Sequence, residues 1–227
     1  MKKVWEKEEK SLAEIISSRG TYRFSEQLFN DIPDVKNRLG KGSGNMIVSN
    51  SFDKLPDILT KERKSKSDYK ILGRYKGKRE YRYIQREYVL DNKFIKFYNI
   101  FVPEANGTGA IGEVLSTPLI GEPLIGEPLI GSTDTFISIG SFITNEEAIA
   151  AIKYIKSKFA RAMLGILKIT QHNPQSTWKY VPLQDFTSNS DIDWTKSIHE
   201  IDEQLYKKYN LSEEEIEFIE TKVKEMN

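Results

Sequence analysis

The stretch Lys168-Ile-Thr-Gln-His-Asn-Pro-Gln-Ser-Thr-Trp-Lys-Tyr-Val-Pro-Leu-Gln-Asp-Phe186 reads as the end of a helix, a polar loop and a short aromatic strand. Just before it, Thr144-Asn-Glu-Glu147 has the form of a capping box, in which a Thr hydroxyl and a Glu carboxylate satisfy each other's free backbone amides. Ala148, Ile152, Ile155, Phe159, Met163 and Leu167 then recur on one face, which predicts a helix over 145–167 with a core-facing stripe. Pro174 stops it. Between residues 148 and 184 stand six cations (Lys153, Lys156, Lys158, Arg161, Lys168 and Lys179) and no acid. A helix face of one sign is either solvated or turned toward a polyanion.

Working outward, residues 135–142 alternate as a strand does. Residues 104–133 form a Pro/Gly-rich connection in which Pro118-Leu-Ile-Gly-Glu122 recurs at Pro123–Glu127 and begins again at Pro128. Proline every five residues excludes a regular helix and a central strand, so an extended surface segment pinned by Leu and Ile is expected. From Lys61 to Lys96 there are thirteen Lys/Arg against five Asp/Glu, interleaved with Tyr69, Tyr75, Tyr81, Tyr83, Tyr88 and Phe94. Residues 81–86 and 94–102 alternate as strands. Cations among aromatics offer phosphate contacts and stacking surfaces; the plainer reading packs the rings inward and leaves the charges in water. Residues 2–18 look helical, and residues 20–60 are too broken by Gly, Pro, Asn and Asp for more than a short strand at 45–48. Near the C-terminus, Ile198, Ile201, Leu205 and Tyr209 form one stripe, and Ser212-Glu-Glu-Glu215 caps a second helix carrying Ile216, Ile219 and Val223.

The net charge of +1 over 227 residues hides a division. Residues 1–110 hold 23 Lys/Arg and 15 Asp/Glu, whereas residues 111–227 hold 11 and 18. That pattern suits a basic binding surface joined to an acidic, solvating end. The absence of cysteine excludes disulfides and thiolate metal sites and fits a reducing cytoplasm. No run approaches the roughly 18 apolar residues of a membrane span, so no membrane partner is expected.

Gly107-Thr-Gly-Ala-Ile-Gly112 matches the dinucleotide fingerprint, but a proline repeat follows where a phosphate-binding helix must begin, so a loop is the better reading. Asp57, Asp68 and Lys70 match a loose pattern for a Mg-dependent DNA nuclease, although Asp68 follows Lys64-Ser-Lys-Ser67 instead of an apolar strand. His172 and His199 lack metal-ligand spacing, and no nucleophile elbow is present.

A family resemblance runs from about residue 15 to the end and is strongest beyond residue 97. It is carried by Val102-Pro-Glu-Ala-Asn-Gly-Thr-Gly109, Thr133-Asp-Thr-Phe-Ile-Ser-Ile-Gly140, Tyr154-Ile-Lys-Ser-Lys-Phe159 and Lys168-Ile-Thr-Gln171. It continues through Trp178-Lys-Tyr-Val-Pro-Leu-Gln-Asp-Phe186, Asp193-Trp194 and Ile201-Asp-Glu-Gln-Leu-Tyr-Lys-Lys-Tyr209. These blocks resemble the C-terminal target-recognition (specificity) region of type II, type IIG-like, restriction-modification enzymes with an adenine-specific DNA methyltransferase. The resemblance implies double-stranded DNA as partner, together with a methyltransferase/endonuclease part of the same enzyme or a separate subunit. The family's methylating part needs an Asn-Pro-Pro-Tyr-type motif to grip a flipped adenine; the nearest stretch here, Asn173-Pro-Gln-Ser176, departs from it. S-adenosylmethionine and Mg are therefore expected only upstream, with no cofactor and no catalysis in this chain.

The expected fold is α+β: a mixed or antiparallel sheet from 69–102, 135–142 and 177–181, packed by a central helix, with a helical C-terminal end. The expected parts are an N-terminal helix over 1–18, a target-recognition domain over 19–186 and an acidic helical subdomain over 187–227. Candidate DNA-contacting residues are Arg74, Lys76, Lys78, Arg79, Arg82, Arg86, Asn106, Lys168, Thr170, Gln171, His172, Asn173 and Lys179. Arginine forks suit guanine or phosphate, side-chain amides suit adenine, and lysines anchor phosphates. The rival readings are the nuclease and a protein-interaction module docking a methyltransferase subunit.

Overall fold

A computed structural model describes residues 2–7, 9–106 and 119–226. The glycine fingerprint at 107–112 lies outside the described residues. In chain order come α1 (Lys2–Trp5), a 3-10 turn at Leu12–Ile15, α2 (Glu26–Asp31), α3 (Val35–Leu39) and α4 (Ser51–Lys54). The strands β1 (Tyr69–Tyr75) and β2 (Lys78–Ile84), the short helix α5 (Lys93–Lys96) and β3 (Tyr98–Pro103) follow. Then come β4 (Leu124–Gly126), β5 (Ile130–Ser132) and β6 (Phe136–Phe142). The C-terminal half is helical: α6 (Asn145–Lys156), α7 (Lys158–Gly165), α8 (Ile198–Lys208) and α9 (Glu213–Lys222). This is the α+β architecture expected. No described helix is long and apolar enough to cross a membrane.

Two three-stranded sheets replace the single expected one. The first is mixed, with β1 antiparallel to β2 and parallel to β5. The second is antiparallel in the order β4-β3-β6. Alternation along β3 decides how they share the interior. Ile100 and Val102 join Ile137, Ile139 and the apolar stripes of α6–α9 in one core. Phe101 and Phe136 join Tyr22, Phe52, Ile71 and Leu72 in the other. The register slips between Tyr98 and Asn99, leaving Ser141 as an extra residue. Gly140 there has φ +113, a conformation that side chains rarely adopt, and an added Cβ would strike the Phe142 ring.

The Pro-Leu-Ile-Gly repeat is not draped on the surface. Leu119 and Ile120 are buried, and the next two copies supply β4 and β5, one to each sheet. Both strands lie at sheet edges, where proline is tolerated.

Three other expectations are corrected. Residues 2–18 are not one helix: Ser11 and Glu14 form a capping box that opens the 3-10 turn, and Ile16 leaves it extended to bridge Ile139. Residues 177–181 form no sheet strand. Gln175–Trp178 is a 3-10 turn started by Pro174, and Val181 and Leu183 instead exchange backbone bonds with residues 10–12. The helix predicted over 145–167 breaks at Ser157, whose ψ is 148°.

That break has an identifiable cause. The Ser157 hydroxyl accepts from Ala160 N at 3.1 Å, while the carboxylate of Asp202 on α8 accepts from Lys158 N at 2.9 Å and Phe159 N at 2.8 Å. Three backbone donors of α7 are thus capped by buried side chains. Burial pushes the Asp202 carboxyl up to about 6 from an ordinary 3.8. Between these values the folded chain holds a proton that the unfolded chain has released, so this group makes stability fall as pH rises from about 4 to about 6. At about 1.4 kcal/mol per pH unit the effect is on the order of 3 kcal/mol. Compared pH by pH in urea titrations, Asp202→Asn is expected to lack this decline. Parallel midpoints for parent and variant across the window would refute the assignment.

Candidate nucleic-acid interface

Most cations of the 148–184 run are consumed inside the fold. Lys153 Nζ donates to the carbonyls of Trp194, Thr195 and Lys196 at 2.8, 3.3 and 2.8 Å. Lys156 pairs with Glu122, and Lys158 with Glu220 of the acidic end. Arg161 is fully buried and donates to the carbonyls of Lys156, Ser157 and Lys224. Lys168 is also fully buried; its ammonium donates to Thr170 O at 2.8 Å, and burial lowers its pKa. Lys179 alone of the six is exposed, 5.7 Å from the Tyr180 ring centroid.

The hairpin of β1 and β2 behaves differently. Lys76 and Gly77 have φ of 49° and 78°, the pair of positive values that a two-residue type I′ turn requires and that glycine supplies without strain. β5 pairs β1 only at residues 70–72, and Thr60 covers β2 only at Tyr83. Residues 73–80 are therefore a two-stranded ribbon. Arg74, Lys76, Lys78 and Arg79 are all exposed on it. Arg79 donates to the Glu122 carbonyl and lies 5.9 Å from the Phe136 ring centroid. Arg74 and Lys78 form no hydrogen bond or ion pair among the described residues.

Arg82 does not join this surface. It is buried, pairs with Glu80, donates to Leu59 O at 3.4 Å and lies 5.5 and 5.3 Å from the Phe52 and Tyr75 ring centroids. Arg86 is exposed at the opposite end of β2 from the turn, over Tyr69 at 5.8 Å.

The polar loop meets the body at the end of β3. Ala105 bridges His172, Asn106 N donates to Gln171 O at 2.8 Å, and Asn173 N donates to Glu104 O at 2.7 Å. Asn173 is fully buried, whereas Thr170, Gln171 and His172 are exposed. His172 Nδ1 stands 2.9 and 3.1 Å from the two Glu104 carboxylate oxygens. That contact favours a proton on Nδ1 and turns Nε2 outward, 3.5 Å from the Gln171 amide nitrogen. Hairpin and loop share this end of β3, because Phe136, under Arg79, is the register partner of Pro103.

Sequence reasoning overlooked Glu104, which orients His172, and Arg19, an exposed guanidinium paired with Asp134 at 2.8 Å. The hydrogen bond to Asp134 raises the Arg19 pKa, and because Glu104 N donates to O of the next residue, Thr135, at 2.9 Å, the pair lies at the same end of the sheet. Glu104 stood inside a motif valued for its neighbours, and Arg19 carried no local signal.

The nuclease residues have other partners. Asp57 is held below the usual carboxylate range by its hydrogen bond from Arg38. Asp68 is buried and accepts from Lys64 N and Ser65 N at 2.9 and 2.8 Å. Both line a cavity of about 190 Å³, but the Lys70 ammonium turns to the Tyr81 ring, 4.2 Å from its centroid. Among the described residues, no three His, Cys, Asp or Glu side chains gather as a metal set.

Comparison with protein-family models, curated proteins and solved structures found no match to this chain.

The two classes of arginine differ in what their loss should do. Arg82→Ala leaves Glu80 and two rings without their partner, so unfolding free energy should drop by about 1–3 kcal/mol. Arg74→Ala should stay within about 0.5 kcal/mol of the parent in the same urea titration. Equal losses would mean that the ribbon is not free.

Proposed function

We propose that this chain recognises a specific sequence in double-stranded DNA, as the specificity region of a restriction-modification adenine methyltransferase. Catalysis, S-adenosylmethionine and Mg belong in this reading to a methyltransferase/endonuclease part of the same enzyme or a separate subunit. Such an enzyme works in the cytoplasm.

One observation carries the reading. Most cations of the 148–184 run are spent on carbonyls and carboxylates of the fold, while Arg74, Lys76 and Lys78 stand exposed together around one hairpin turn. The ribbon supplies phosphate contacts, which give affinity and position without sequence information. The exposed Gln171 amide of the polar loop has the donor and acceptor that pair with adenine N7 and N6. Burial of Arg82, Lys168 and Asn173 gives them the supporting part: they hold the ribbon, the loop and the end of β3 in shape. The acidic helices α8 and α9 pack on α6 and α7, away from the first sheet.

The test is titration of the purified chain with duplex DNA over a range of salt. Each phosphate contact contributes about −0.9 to the slope of log affinity against log salt. Lys76→Gln and Lys78→Gln should each reduce the slope by about 1 with sequence preference retained. Gln171→Ala should change preference and leave the slope in place. Binding that is absent, or insensitive to salt, would reject the reading.

A further inference from the structure

The free ribbon suggests how the DNA would be read. We propose that the tip of the ribbon, residues 74–79, enters the major groove of B-form DNA and that Arg74 reads a guanine there, an inference that rests on the DNA-recognition reading above.

Dimensions come first. From the Arg74/Arg79 rung through the Tyr75/Lys78 rung to the turn, the exposed part of the ribbon extends about 7 Å at about 3.3 Å per residue. A major groove about 12 Å wide and about 8.5 Å deep admits a two-stranded ribbon; the minor groove, about 6 Å wide, does not. The ribbon is also stiff enough to insert. Its type I′ turn matches the strand twist, and the ring of Tyr75, on the rung next to the turn, lies 5.3 Å from both the Lys76 ammonium and the Arg82 guanidinium carbon.

Charge placement comes second. Arg74 and Arg79 are directly opposed across the two strands. Like charges so placed oppose hairpin formation unless each finds a partner. Arg79 finds one in the Glu122 carbonyl and the face of Phe136. Arg74 has none among the described residues and is exposed. A guanidinium is a planar fork of donors, matched in spacing to guanine O6 and N7. The ammoniums of Lys76 and Lys78 are point charges, suited to the phosphates on either side.

The experiment starts from a duplex that the full chain selects out of a randomised pool. Each guanine of that site is then replaced singly by 7-deazaguanine, which lacks the major-groove N7, or by inosine, which lacks the minor-groove amino group. At one guanine 7-deazaguanine should weaken binding by about 5- to 100-fold, and inosine should leave it unchanged. Arg74→Ala, with an unaltered circular dichroism spectrum, should bind the deaza and normal sites alike. Double-stranded RNA, whose A-form major groove is too narrow for a ribbon, should not compete. A selected site without guanine, tolerance of every 7-deazaguanine, sensitivity to inosine instead, or equal competition by RNA would overturn the proposal while leaving duplex binding intact. Failure to select any duplex would reject the DNA-recognition reading itself.

Discussion

Strand β3 is buried on both faces, and the rest of the molecule is arranged by that burial. Ile100 and Val102 face one core and Phe101 the other, so the strand belongs to both at once. Asn99, buried within it, donates to the carbonyls of Phe94 and Phe97 and fixes how α5 enters the strand. A backbone enclosed in this way must have its hydrogen bonds met along its whole length. β4 and β6 meet them along the strand; beyond Pro103 the polar loop continues the task through Glu104, Ala105 and Asn106. The loop is therefore placed by the core's need for partners, and its exposed side chains are presented as a result.

A second constraint sorts the charges. Taking an ion out of water is expensive unless polar partners replace the solvent. The buried cations and carboxylates obey this. Lys153 has three carbonyls, Asp202 two backbone amides, and Arg161 the carbonyls at the start of α7. These contacts tie α6 and α7 to α8 and to the segment before it. Charges that the fold does not need, those of the hairpin among them, stay exposed, where solvent covers them at little cost. The contrast between cations that build the molecule and cations left exposed is the basis of the DNA-recognition proposal.

Much of the secondary structure was legible. Strands β2, β3 and β6 and the two C-terminal helices follow from period and capping residues, and the Ser212 capping box forms as written. Thr144 caps α6 through Glu147 N, although the Glu147 carboxylate takes the amide of Ile143 instead of that of Thr144. The break at Ser157 was invisible because its deciding partner, Asp202, lies 45 positions away. The two edge strands of the proline repeat were equally hidden, since a three-residue strand has too short a period to detect and exists only because a neighbour offers an edge.

Of the candidate residues, Arg74, Lys76, Lys78, Arg79, Thr170, Gln171 and His172 are exposed as any contact with a partner requires. Arg82, Lys168 and Asn173 are not. By itself the sequence determined the local matters: hydrophobic period, the caps, and the excess of basic charge before residue 110. Tertiary structure alone decided which charges face water. Six cations without a nearby acid look uncompensated along the chain, yet folding gives five of them partners, the carboxylates of Glu122 and Glu220 and the carbonyls of Thr170, Trp194, Thr195, Lys196 and Lys224 among them, and leaves Lys179 exposed. Electrostatic pairing depends on separation in space, and separation along the chain does not report it.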